Sequence, residues 1–90
     1  MLKIELVPDL FNCVETVAKR EYQKLIKQLL AMGGESEELK EKAEALRLFL
    51  ETMNFKKLRS ESERHLVEGK TVRFVVHMKD GVLKYDMRVT

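Results

Sequence analysis

The sequence predicts an α+β domain, a two-layer sandwich in the order β-α-α-(α)-β-β. A small antiparallel sheet, made of an N-terminal strand and a C-terminal hairpin, is covered on one face by two or three helices. Three observations point there. Apolar and polar residues alternate at both ends of the chain, the middle carries apolar residues at steps of three and four, and Asp80-Gly81 stands between two alternating runs. The first spacing is the period of a strand and the second that of a helix. The third is the strongest short-range hairpin signal.

The first strand is expected over 2–7, where Leu2, Ile4 and Leu6 alternate with Lys3, Glu5 and Val7. Pro8 ends it, since proline has no N–H for a ladder, and Asp9 is placed to cap the helix that follows. Helix one is expected over 10–32, with Phe11, Val14, Ala18, Tyr22, Leu25, Leu29 and Met32 on one stripe and Gly33-Gly34 as its stop. Helix two opens at Ser36, with Glu35, Glu37 and Glu38 against the positive end of its dipole. Its stripe is Leu39, Ala43, Leu46, Leu50 and Met53, with Phe49 at the margin. Residues 54–69 read as a third helix capped by Asn54 and stopped at Gly69, or as helix two continued through a bend.

The hairpin turn sets the pairing of the last two strands. Type I′ turns need two central residues that tolerate positive φ, which Asp-Gly does. Met78 then faces Leu83, Val76 faces Tyr85, Phe74 faces Met87 and Val72 faces Val89. A slip by one residue would lose all four apolar matches, so the register is strongly specified. The other face pairs His77 with Lys84, Val75 with Asp86 and Arg73 with Arg88.

Ninety residues form a single domain, 1–90, too small to enclose a large cavity. The hydrophobic fraction of 44% argues against disorder. One cysteine, Cys13, excludes an internal disulfide and a Cys-rich metal site. Neither a signal-peptide core nor an apolar run of membrane-spanning length occurs, so a cytoplasmic protein with no membrane partner is expected. Residues 1–55 hold 8 basic and 10 acidic side chains and residues 56–90 hold 9 and 5, so any anion-seeking surface belongs to the C-terminal third.

No catalytic constellation is visible and an enzyme is not expected. Gly33-Gly34 lacks the Lys-Ser/Thr ending of a phosphate loop, and Ser60 and Ser62 sit in no nucleophile elbow. Cys13 paired with His65 or His77 is the one nucleophile–base combination, but Cys13 projects away from the helix-one stripe and His77 lies on the outer face of the sheet. The two histidines lack a third ligand at metal spacing, and the Glu35, Glu37, Glu38, Glu41 cluster has an ordinary dipole explanation. Neither a metal nor a cofactor is expected.

Two features stand out against this background. Ile26, Leu30 and Leu48 lie off the core stripes of adjacent helices, as for a self-association surface or for a surface covered by helix three. On the outer sheet face, Arg73 opposes Arg88 at a cost in stability, with Lys70, Lys84 and His77 near and only Asp86 and Glu5 to balance them. Guanidinium forks suit phosphate oxygens, but Phe74 and Tyr85 point inward, where they cannot stack on bases. The expectation is a non-catalytic interaction domain, a homodimer or the binder of a protein partner, working through helix or sheet surfaces. The alternative is a nucleic-acid or phosphate-binding module using the basic face.

Overall fold

The alternating segments at both ends of the chain form one three-stranded antiparallel sheet. The structure, a computed structural model, describes residues 3–90. The strands are β1 (Lys3–Leu6), β2 (Val72–Lys79) and β3 (Val82–Val89), in the spatial order β1-β2-β3. Between β1 and β2 come α1 (Val14–Ala31), α2 (Glu37–Thr52) and α3 (Phe55–Leu66). This is the expected β-α-α-α-β-β sandwich, with 54–69 resolved as a separate helix. Leu2, expected at the start of β1, lies outside the described residues.

The hairpin register is the expected one throughout, from Val72 opposite Val89 to Met78 opposite Leu83. Asp80 and Gly81 take φ values of 53° and 77°, the left-handed pair that closes a type I′ turn. β1 adds to the free side of β2, with Ile4 opposite Val76 and Leu6 opposite Phe74. Ile4, Leu6, Val72, Phe74 and Val76 therefore share one face, and all five are buried beneath the helices.

Helix one departs from expectation at its start. It begins at Val14 rather than at residue 10, and Cys13 occupies the capping position without a side-chain bond. Asp9 instead closes a turn of its own, its Oδ1 accepting from the Phe11 and Asn12 backbone N–H groups at 2.8 and 2.7 Å. An aspartate that satisfies nearby amides this way competes with helix formation, and here it holds residues 9–12 out of the helix. Phe11 consequently leaves the stripe and is 94% exposed. At the other end Met32 is the exposed C-cap residue. The N–H groups of Gly34 and Gly33 bond the carbonyls of Leu29 and Leu30 at 2.8 and 3.1 Å, a Schellman stop with Gly33 at φ 68°.

Helix two is buried over a wider arc than its predicted stripe. Ala43 and Leu46 are buried as expected, but so are Ala45 and Phe49. The reason is position: α2 packs against α1 on one side and against β2 and β3 on the other, so one stripe cannot serve both neighbours. Phe49, placed at the margin by periodicity, is a centre of the core. Its ring meets Phe55 edge-on at 5.6 Å and Tyr85 at 6.0 Å. Among the described residues, Ser62 is the one buried polar residue, and its hydroxyl donates to the Arg59 carbonyl at 3.1 Å.

Candidate functional site

The helical layer does not cover the sheet evenly. α1 packs over β1, α3 over β2, and α2 over β2 with a reach to β3. The inward residues Val72, Phe74 and Val76 of β2 are buried, whereas their partners on β3 are not. Leu83, Met87 and Val89 are half-buried and Tyr85 is 38% exposed. β3 thus stands at the edge of the sheet with its apolar face overhanging the helices.

Among the described residues, the backbone of that edge is also free. Thr71 and Thr90 exchange both of their hydrogen bonds at 2.9 Å. In an antiparallel ladder doubly bonded pairs alternate with unbonded ones. The bonded pairs of the β2–β3 register are therefore those with even-numbered β3 residues, from Arg88 back to Val82. Leu83, Tyr85, Met87 and Val89 direct their N–H and C=O groups away from β2. An edge of this kind is a template for another strand.

On the outer face the three strands place like charges in cross-strand rows. Lys3, His77 and Lys84 form a basic row, and Glu5 and Asp86 flank Val75 in an acidic one. Arg73 and Arg88 make a second basic row. The structure brings Arg73, His77, Lys84 and Arg88 together as predicted, but Lys70 sits in the loop before β2 and pairs with Glu68 at 3.0 Å. Arg73 lies 3.8 Å from Glu5. The acidic row between the basic ones makes this face mixed in sign rather than uniformly positive. Val75 is only 2% exposed although it points outward. Among the described residues, His77 Nδ1 is buried with no hydrogen-bond partner.

The three helical residues expected at a self-association surface separate. Ile26 packs against the core and is part of the monomer's own interior. Leu48 is half-buried, beside Ala45 on the widened arc of α2. Leu30 alone is well exposed, at 74%. Among the exposed apolar residues that periodicity missed are Leu10 and Phe11, which lie in and beside the Asp9 turn. The Asp9 carboxyl is held below its usual range, chiefly by the N–H of Phe11 and then that of Asn12.

Nothing resembling a catalytic centre assembles among the described residues. Cys13 Sγ lies 3.4 Å from Thr16 Oγ1, and bonds from the Thr16 side chain and backbone hold its thiol below the ordinary value. No histidine stands with it: His65 is near the end of α3 and His77 is on the far face of the sheet. No group of three His, Cys, Asp or Glu side chains converges on a metal position among these residues. A concavity of about 440 Å³ is an open groove between α2 and the hairpin tip. Ile4, Ala45 and Met78 line it, with Lys40, Glu44 and Asp80 among its polar residues. No helix of the described residues is long and apolar enough to cross a membrane.

Fold and surface together define a small α+β domain with one long open sheet edge. The chain belongs to a protein family whose model matches residues 2–88. No curated protein and no solved structure matches it significantly.

Proposed function

We propose that this protein is a non-catalytic interaction domain that binds another polypeptide strand along β3. One observation carries the reading: β3 combines unpaired backbone groups with a half-exposed apolar face at Leu83, Tyr85 and Met87. Strand addition uses both at once, main-chain bonds for affinity and alternate side chains for specificity. Two-stranded coverage would also remove the hazard of an exposed edge.

Affinity capture from the native organism's lysate tests this, with tagged parent beside tagged Met87→Pro. The Met87 N–H points away from β2, so proline there blocks edge pairing without removing a bond of the hairpin. The expected result is a polypeptide, an untagged copy of the chain included, retained by the parent and lost with the proline variant. Retention that is indifferent to Met87→Pro overturns the reading. Loss of every partner on nuclease treatment would favour nucleic acid on the basic face instead.

A further inference from the structure

We infer that the strand accepted by β3 is the β3 of a second copy, in one antiparallel register centred on Tyr85. This rests on the edge reading above and adds the identity and alignment of the partner. The warrant is the self-complementarity of the strand Val82-Leu83-Lys84-Tyr85-Asp86-Met87-Arg88-Val89.

The outward backbone groups belong to the odd-numbered residues, so only registers that oppose odd to odd can bond the two edges. These registers also keep inner faces with inner faces, as the alternation of side chains demands. With the two-fold axis at Tyr85, Leu83 faces Met87 of the copy and Tyr85 faces itself. Each of these pairs exchanges both backbone bonds. Three of the four overhanging side chains, Leu83, Tyr85 and Met87, are covered together, including a cross-strand aromatic pair, while Val89 faces Gly81 of the copy. On the outer face Lys84 then meets Asp86 of the copy, and by symmetry Asp86 meets Lys84. Those positions are the unbonded pairs of the new ladder, where side chains come closest.

Two neighbouring alignments fail on the same charges, and a third fails on the cover it gives the overhang. Centring the axis on Asp86 sets Asp86 against itself and Lys84 against Arg88. Centring it on Lys84 opposes two lysines. Centring it on Met87 restores opposite charges, Asp86 with Arg88, but places Thr90 opposite Lys84 and leaves Leu83 with no facing residue of the strand. Charge and apolar cover together therefore select the register centred on Tyr85. Closed two-fold pairing of this sort ends at a dimer, because it uses the same patch on both copies.

Charge exchange with sedimentation equilibrium decides the matter. The parent is expected to dimerise at high micromolar concentration. Lys84→Glu and Asp86→Lys each set like charges against each other twice, and each should weaken the dimer by about tenfold or more. An equimolar mixture of the two single variants, and the double variant carrying both changes, should dimerise about as well as the parent, within roughly threefold. The Met87-centred register gives a different result, because there Lys84→Glu has no effect and the double variant is not rescued. Circular dichroism melts of each variant at low concentration show whether the monomer still folds. A monomeric parent, or single variants that dimerise as the parent does, overturns the inference. A monomeric parent that still retains another polypeptide in a Met87→Pro-sensitive way overturns the second copy alone and leaves the edge reading standing.

Discussion

The ring of Phe49 meets the ring of Tyr85 edge-on, with centroids 6.0 Å apart and planes at 74°. This contact is where the helical layer reaches the outermost strand. Phe49 is fully buried beneath it, whereas Tyr85 keeps 38% of its surface exposed. One aromatic edge thus joins the interior of the domain to the surface proposed to bind.

Phe49→Ala should destabilise the domain by about 3–5 kcal/mol, the usual cost of emptying a buried phenylalanine site. Phe11→Ala should change stability by no more than about 0.5 kcal/mol, because its ring is 94% exposed and removing it opens no cavity. Urea denaturation of the two variants against the parent measures both. Equal losses would mean that the stripe read from periodicity, with Phe11 inside and Phe49 at its margin, is the better description of the core.

The contrast shows where sequence patterns carry and where they stop. Period-two alternation and Asp80-Gly81 sufficed for the hairpin register, because turn geometry and four apolar pairs agree on one answer. Helical periodicity found Ala43 and Leu46 but undervalued Ala45 and Phe49. A stripe is defined against one neighbour, and α2 has two. Asp9 was misassigned because a capping residue and a turn residue use the same chemistry, a side-chain oxygen accepting from nearby amides. The basic residues Arg73, His77, Lys84 and Arg88 could be placed on one face from the register alone. That Glu5 would stand beside them in an acidic row depended on how β1 aligns with β2, which no local signal sets. The open inner face of β3 was equally invisible, since coverage depends on where the helices end over the sheet.

Gly81→Val should cost roughly 1–2 kcal/mol, since a β-branched residue is forced to φ near 77°. No atom beyond the glycine and its two chain neighbours lies within 4 Å of the position a Cβ would take, so the cost is one of backbone conformation and not of crowding. Gly81→Asn should recover most of the loss, because asparagine tolerates the left-handed region. Thermal denaturation of both variants at low concentration is the check. A valine variant as stable as the parent would be incompatible with this turn.

Asp9 should leave a signature in acid. The N–H groups of Phe11 and Asn12 bond its charged form and hold its carboxyl below the usual value. A carboxyl depressed on folding stabilises the native state in full above its unfolded-state pKa of about 4, and that contribution is lost as the pH falls through the lower folded value. The parent should therefore melt above Asp9→Ala at neutral pH, with the gap constant down to about pH 5 and closing below about pH 4. Melting temperatures of both proteins across that range test it. A gap that persists unchanged into strong acid would assign the effect to the shape of the turn and not to its charge.

Arg73 and Arg88 oppose each other across β2 and β3, yet their surroundings differ. Arg73 lies 3.8 Å from Glu5 on the neighbouring strand, and both side chains are about half exposed. Arg88 is on the edge strand, with no ion pair among the described residues. Like charges directly opposite cost from about 0.2 to 1 kcal/mol, and an exposed ion pair returns about as much. Arg88→Gln relieves the repulsion and sacrifices nothing, so it should stabilise the domain by a few tenths of a kcal/mol, up to about 1. Arg73→Gln relieves the same repulsion but gives up Glu5, so it should be close to neutral. The double change can remove the repulsion only once, and it should therefore fall short of the sum of the singles by about the value of that repulsion. Urea denaturation of the four proteins at low salt gives the coupling directly, and raising the salt should shrink it, because exposed charges are screened within about 8–10 Å. Added polyphosphate should shift the melting temperatures of parent and double variant alike. A shift confined to the parent would mean that the two guanidinium groups share an anion, and it would bring the phosphate-binding alternative ahead of the strand-binding one.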